Sequence, residues 1–157
     1  MQTASTPITG RETPDQLSPD IAALSQFYRA LNTRDLALMA DNWGRSDEAV
    51  MDNPVGGIMR GWDAIQSVYE RVFAGGAQFW FEFYDYTLVH GADTFIAIGR
   101  ERGEYRTAAG EVLQMAIRTS RVFRLREGRW HQVHHHGSID DPALLAAYQA
   151  AVRGSQK

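Results

Sequence analysis

The hydrophobic period of this chain changes once, at Gly75-Gly76, and that change constrains the fold more than any other feature. Before this pair, apolar residues recur every three or four positions, as on helices; after it they alternate, as on strands. Alternation runs through four long segments, 78–89, 94–104, 112–125 and 130–138. Short glycine-containing turns at 90–93, 108–110 and 127–129 join them. Connections this short predict an antiparallel meander.

Helical patterns flank the strands instead of alternating with them. One helix is predicted to begin at Ser18-Pro19-Asp20 and to break at 32–34, and a short one follows over 36–43. Gly61 opens a third helix, after two short strands at 49–52 and 58–60, and a last helix begins at 141–142. This segregation predicts an α+β fold with helices packed on one face of a strongly curved antiparallel sheet.

Length and charge narrow the class of protein. The 157 residues predict one domain over 18–152, between a flexible N-terminal tail at 1–17 and a C-terminal tail at 153–157. A net charge of −3 gives no basic excess for nucleic acid, and no apolar stretch is long enough to cross a membrane. The absence of cysteine excludes thiolate chemistry. A cytoplasmic location is the expectation, since the first twenty residues are polar.

Three consecutive histidines in the last strand are the main chemical signal. Strict alternation would place Trp130, His134 and His136 on one face and His135 on the other. Three interpretations stay open: buried rings with ordinary partners, a general acid or base paired with a carboxylate, or a His-x-His metal site. No complete ligand set is visible, so neither a metal nor another cofactor is predicted.

Both faces of the predicted sheet carry apolar residues in its middle strands. One face would be covered by the helices. The other would need a second covering layer, most simply a symmetric copy of the same chain. The pattern therefore predicts a homodimer formed through the sheet.

The segment from Ile21 to Phe73 resembles the NTF2-like superfamily, in its SnoaL-like and ketosteroid-isomerase-like branches. The resemblance rests on a helix ending Ala30-Leu31-Asn32, the run Asp52-Asn53-Pro54-Val55-Gly56, and Trp130 followed by His-x-His in the last strand. It covers about residues 18–152. It implies a cone of helices closed by a bent sheet, a pocket between them, and dimers through the sheet.

The residues that ketosteroid isomerases use are altered here. The resemblance implies a carboxylate base at the position of Asn53, a tyrosine donor at Phe27, and a protonated acid near Arg121. An amide cannot carry a proton at neutral pH. Steroid isomerisation by that mechanism is therefore not expected, although Asp52 keeps a carboxylate next to the turn.

The resemblance also implies which face lines the pocket. Its inward-packing tryptophan assigns the face of Trp130 to the pocket, which predicts His134 and His136 as proton carriers and Asp52 as their carboxylate. Six residues are predicted to contact ligand: Asn53, Trp43, Tyr69, Arg118, Glu101 and Trp130. The predicted function is cofactor-free acid–base catalysis on a compact hydrophobic small molecule, of isomerase, dehydratase, cyclase or hydrolase type. The alternative is a dimer that binds a small ligand without turnover.

Overall fold

The computed structural model describes Ala4 and residues 6–154, and its element order is the predicted one. A single 3-10 turn, Pro14–Gln16, precedes the first helix. The helices are α1 (Pro19–Thr33), α2 (Leu36–Trp43), α3 (Trp62–Ala74) and α4 (Pro142–Gly154). The strands are β1 (Val50–Asp52), β2 (Met59–Arg60), β3 (Gln78–His90), β4 (Thr94–Arg106), β5 (Val112–Arg126) and β6 (Arg129–Ser138). The predicted α+β class is confirmed. No helix in this part of the chain has the length and apolar character to cross a membrane.

The six strands form one sheet in the order β2-β1-β6-β5-β4-β3. The four long strands make the predicted antiparallel meander. The sheet is mixed, however, because β1 runs parallel to β6 and pairs Asp52 with His136. The sequence did not predict this parallel pair, since nothing local marks a contact between segments more than eighty residues apart.

The corner between α1 and α2 is fixed by local chemistry. Arg34 adopts a left-handed conformation (φ 58°) that ends α1. Asp35 then caps α2, accepting a hydrogen bond from the Leu38 backbone N–H at 2.9 Å. The predicted break at 32–34 is therefore confirmed, and it turns α2 back along α1.

Two features let the sheet curl around the helices. A bulge follows Tyr84 on β3, with Asp85 at φ 49°. On β4, a Cβ placed on Gly103 would lie 1.8 Å from the Trp80 carbonyl oxygen. Only glycine permits this close approach of β3 to β4. The inner face of the curled sheet packs on the helices, and the largest fully buried apolar side chains there are Trp43, Phe27, Phe83, Phe95 and Phe123.

The described part of the predicted N-terminal tail is packed against the sheet. Ile8 is only 2% exposed, and its backbone N–H and carbonyl both bond to Phe83 on the outer edge of β3. Glu12 accepts a hydrogen bond from the Ser25 hydroxyl of α1 at 2.6 Å. The prediction of a flexible tail is thus corrected for residues 6–17. Its polar composition hid one apolar residue that covers a sheet edge.

A bulge in β6 reverses the predicted faces of the histidines. Phe123 pairs with Gln132 but its neighbour Val122 pairs with His134, which leaves Val133 as an extra residue. Trp130 stays on the inner face, where its ring meets Phe95 edge-on at 4.9 Å. Beyond the bulge the alternation restarts out of phase.

Candidate functional site

An internal cavity of about 100 Å³ lies between the inner sheet face and the helices α1, α3 and α4. Apolar and aromatic side chains make most of its wall. The polar groups that line it are Asn53, Tyr69, Glu101, Tyr105, Arg121, His135 and Tyr148. A largely apolar cavity with a few convergent polar groups is typical of a small-molecule site.

A buried charge network forms one side of this cavity. Arg121 on β5 and Glu101 on β4 make an ion pair of 2.6 Å, and their side chains are 1% and 6% exposed. The Tyr28 hydroxyl donates to the same Glu101 oxygen at 2.6 Å, and Arg121 also donates to Gln132 at 2.8 Å. The Arg121 guanidinium lies 3.5 Å from the centre of the Phe27 ring. Because each charge is paired, the network as a whole is neutral, and the arginine side chain is held in one position.

His135 lies next to this network without joining it. It pairs with Arg121 across β5 and β6, is 7% exposed, and lines the cavity. Burial and then the positive charge of Arg121 hold the pKa of His135 well below its usual range. The ring is therefore neutral near pH 7. Neither ring nitrogen has a hydrogen-bond partner among the described residues. A buried donor and acceptor left unpaired cost about 1–3 kcal/mol, so the site favours a ligand that supplies the partners.

Tyrosine hydroxyls complete the polar part of the wall. Burial raises the pKa of Tyr69 on α3 to about 12 and also raises the pKa of Tyr148 on α4. Both hydroxyls thus keep their protons at neutral pH and can donate hydrogen bonds. Tyr148 meets the Tyr105 ring edge-on at 5.4 Å.

A second chamber of about 170 Å³ adjoins the first. Five residues line both chambers: Asn53, Val68, Val72, Tyr105 and Tyr148. Within the described part of the chain, Arg71, near the end of α3, is the one charged residue in the lining of this outer chamber. The two chambers therefore adjoin each other: the buried network lines the inner one, and the exposed Arg71 lines the outer one.

Long-range hydrogen bonds hold the frame of the outer chamber. Arg34 donates to the backbone carbonyls of Phe73, Gly75 and Ala77, which fixes the link between α3 and β3. Gln149 of α4 donates to the Pro54 carbonyl at 3.2 Å. Helix α4 is thus tied to the turn after β1 at the place where both chambers meet.

His134 and His136 lie on the outer sheet face together with Asp52. The Nδ1 atom of His136 lies 2.6 Å from Asp52 Oδ2, and His134 Nε2 lies 3.7 Å from Oδ1. The His136 side chain is 50% exposed and borders a shallow groove of about 590 Å³ on that face. The sequence predicted these three residues as one group on the cavity face. The structure brings them together on the outer face, because the bulge at Val133 shifts the alternation of β6.

The predicted contact residues divide between four places. Asn53, Tyr69 and Glu101 line the cavity as expected. Trp43 is fully buried in the core, and Trp130 lines a separate shallow groove beside α1. Arg118 lies on the outer face, where it pairs with Asp140 at 2.8 Å instead of with Glu101.

Arg121 and His135 are the site residues that sequence reasoning missed. The signal for Arg121 was present, because it shares its strand face with Leu113, Met115 and Ile117, all of them buried. An arginine in phase with three core residues indicates burial. His135 had no such signal, since its face depends on the bulge. Among the described residues there is no group of three or more histidine, aspartate or glutamate side chains suited to a metal ion.

Helices closed by a curled meander around an internal cavity define a cone-shaped α+β class of small proteins. The chain belongs to the SnoaL-like domain family, whose family model matches residues 21–142. Solved structures described as NTF2-like share its fold. The resemblance seen in the sequence is thereby confirmed. No curated protein is similar enough in sequence to this chain to count as a relative.

Solved structures agree on the fold. A Thiobacillus denitrificans protein, described as a calcium/calmodulin-dependent protein kinase type II association domain, is 27% identical, with a TM-score of 0.64 over 79% of this chain and 96% of its own. A Streptomyces avermitilis protein, described as a dehydratase of the NTF2-like family, is 17% identical, with a TM-score of 0.70 over 76% and 93%. A ketosteroid isomerase-like protein from Erwinia carotovora atroseptica is 22% identical, with a TM-score of 0.66 over 77% and 93%.

Proposed function

We propose that this chain binds a compact, largely apolar small molecule in the inner cavity, with a polar group of that molecule at His135. The observation that carries the proposal is the buried neutral imidazole whose two nitrogens lack partners. Hydrogen bonding to a ligand would remove that unfavourable state. The cavity is of the same order as one of about 150 Å³ that accepts a benzene ring. At about 100 Å³ the cavity is smaller than that one, so the ligand head we propose is at most one six-membered ring, and a ring would displace part of the wall.

The same groups would support cofactor-free proton transfer on such a ligand. Tyr69 keeps its proton and can donate to a carbonyl oxygen, which stabilises negative charge that develops there. The neutral His135 can accept a proton from a carbon or hydroxyl group of the ligand. An enolisation of the isomerase or dehydratase kind is the reaction that suits this pair. The outward Asp52–His136 pair faces away from the cavity and takes no part in this proposal.

The alternative function is binding without turnover. Its support is the low pKa of His135, because a base whose pKa lies far below the working pH removes protons weakly. Asn53 adds to this, since an amide replaces the carboxylate expected at the turn. The two functions share one pocket and differ only in whether a bound ligand loses a proton.

Binding of 4-ethylphenol tests the pocket. Wild-type protein, His135→Leu and His136→Gln would be titrated with this phenol by calorimetry. We expect His135→Leu to weaken binding about tenfold, the equivalent of one good hydrogen bond, and His136→Gln to leave it unchanged. His136 is the matched control because it is the adjacent histidine on the opposite face. The reverse pattern would place the site in the outer groove and overturn the proposal.

Exchange of the α-protons of cyclohexanone in D₂O, followed by NMR, separates catalysis from binding. A catalytic site would accelerate exchange over buffer, and His135→Leu and Tyr69→Phe would each lower that rate. Exchange at the buffer rate, with 4-ethylphenol binding intact, would support the non-catalytic alternative.

We also propose that two copies associate through the outer sheet face. Ile98, near the centre of that face, is 48% exposed. It lies among the ion pairs Arg100–Asp85 and Arg118–Asp140, so the face carries both signs of charge around an apolar residue. Such a face is self-complementary under a two-fold axis.

A further inference from the structure

We infer that the ligand is a monocarboxylate, with an uncharged polar ring in the inner chamber and its carboxylate at Arg71 in the outer chamber. The inference rests on the proposed function, because it places the ring end of the ligand at His135. Beyond the proposed function, the inference specifies a second anchoring point on the protein, and the charge and length of the ligand.

The first step is that the two chambers adjoin each other. They share Asn53 and Tyr105 from the sheet side, Val68 and Val72 from α3, and Tyr148 from α4. The inner chamber has room for at most one ring, and the outer chamber is the larger of the two. A molecule that fills both must therefore be elongated, with a head and a tail.

The second step is the charge of the lining. In the inner chamber the charge of Arg121 is balanced by Glu101 at 2.6 Å, and burial keeps His135 neutral. Among the residues that the structure describes, no carboxylate lines the outer chamber, and Arg71 is the one charged side chain in its wall. The combined lining thus carries one excess positive charge, located at the open end.

The third step is the state of Arg71. Its side chain is exposed and makes no hydrogen bond or ion pair with any residue that the structure describes. The neighbouring carboxylate, Glu70, is occupied by Gln66 at 2.7 Å. A free guanidinium at a pocket mouth is suited to a carboxylate, which it can bind through two parallel N–H groups. An uncharged tail would leave this capacity unused.

Chain-length variants of a phenol acid test the inference. The probes are 4-hydroxybenzoate, 4-hydroxyphenylacetate and 3-(4-hydroxyphenyl)propanoate, each beside its uncharged methyl ester, with affinity measured by calorimetry. We expect one chain length to bind about fivefold more tightly as the acid than as the ester. That preference should fall as NaCl is raised and should vanish in Arg71→Gln. Arg45→Gln, an exposed arginine that lines neither chamber, should retain it.

The outcomes separate this inference from the proposed function. If acids and esters bind equally at every length, or if Arg71→Gln keeps the preference, the carboxylate anchor is wrong. If the esters still bind and still weaken in His135→Leu, the pocket itself stands. If none of the six compounds binds, the anchor and the pocket fall together.

Discussion

Arg121 and His135 face each other across two strands, and between them they set the chemistry of the cavity. The arginine is held by Glu101, Gln132 and Tyr28, so its position is fixed and its charge is compensated. The histidine receives its low pKa from burial and from that arginine, and it has no partner of its own. Each side-chain nitrogen of the arginine has a hydrogen-bond partner, whereas neither ring nitrogen of the histidine has one among the described residues.

Removing the arginine should strongly destabilise the fold. In Arg121→Met the Glu101 carboxylate loses its ion pair while it remains buried, and we expect a loss of about 3–5 kcal/mol in the free energy of unfolding. The double variant Arg121→Met, Glu101→Leu should recover much of that loss, because no unpaired charge remains. Urea denaturation of both proteins measures this. A single variant that loses less than about 1 kcal/mol would contradict the burial of the pair.

The low pKa of His135 predicts that stability falls on the acid side. The unfolded chain takes up this proton near pH 6.5, whereas the folded protein resists it. The stability from the neutral ring is therefore complete above about pH 6.5. It is lost as the pH falls toward the folded pKa, at up to about 1.4 kcal/mol per pH unit.

Urea unfolding of wild type and His135→Leu at pH 7.5 and pH 5 checks this. Between pH 7.5 and pH 5, the free energy of unfolding should fall by about 1–2 kcal/mol less in the variant than in wild type. Thr6→Ala, an exposed substitution that removes no titrating group, is the control and should run parallel to wild type. If the free energy of unfolding of His135→Leu falls as much as that of wild type, His135 is accessible to protons in the folded state.

At the scale of elements, the sequence predicted the features that follow from regular hydrophobic periodicity. It predicted few of the features that depend on local irregularities such as bulges. Glycine turns and alternation predicted the four long strands to within two residues. The resemblance pointed to Asn53, and the aromatic and mid-strand charge patterns pointed to Tyr69 and Glu101; all three line the cavity. The sequence assigned the inward-facing and outward-facing histidines of β6 the wrong way round, because one extra residue at Val133 shifts the alternation. A bulge depends on the register of the partner strand, which a single strand's sequence does not contain.

The docked N-terminal segment makes an element-level prediction. Ile8→Ala should lower the free energy of unfolding by about 2 kcal/mol, because a nearly buried isoleucine that covers the edge of β3 would leave a gap. Thr6→Ala, two residues away and exposed, is the control and should be neutral. Thermal or urea unfolding would measure both. Equal free energies of unfolding for the two variants would contradict the packing of this segment against β3.

At the scale of the whole molecule, the two faces of the sheet have separate tasks. The inner face closes the cavity, and we propose that the outer face joins two copies. Ile98→Asp would bury a carboxylate from each copy in the proposed interface, so we expect it to abolish the dimer. Sedimentation velocity should then change from the mass of two chains to that of one. Wild-type protein that sediments as a monomer at micromolar concentration would contradict the proposal.

The run of three histidines in β6 also makes this part of the cavity wall tolerant of a shift in strand register. A slip of β6 by one position in either direction would bring His134 or His136 opposite Arg121 in place of His135. An imidazole would still occupy the cavity wall, although most other contacts of the strand would change. A one-residue insertion or deletion before this run, which would usually exchange the chemistry of a strand face, would here leave the cavity's histidine in place.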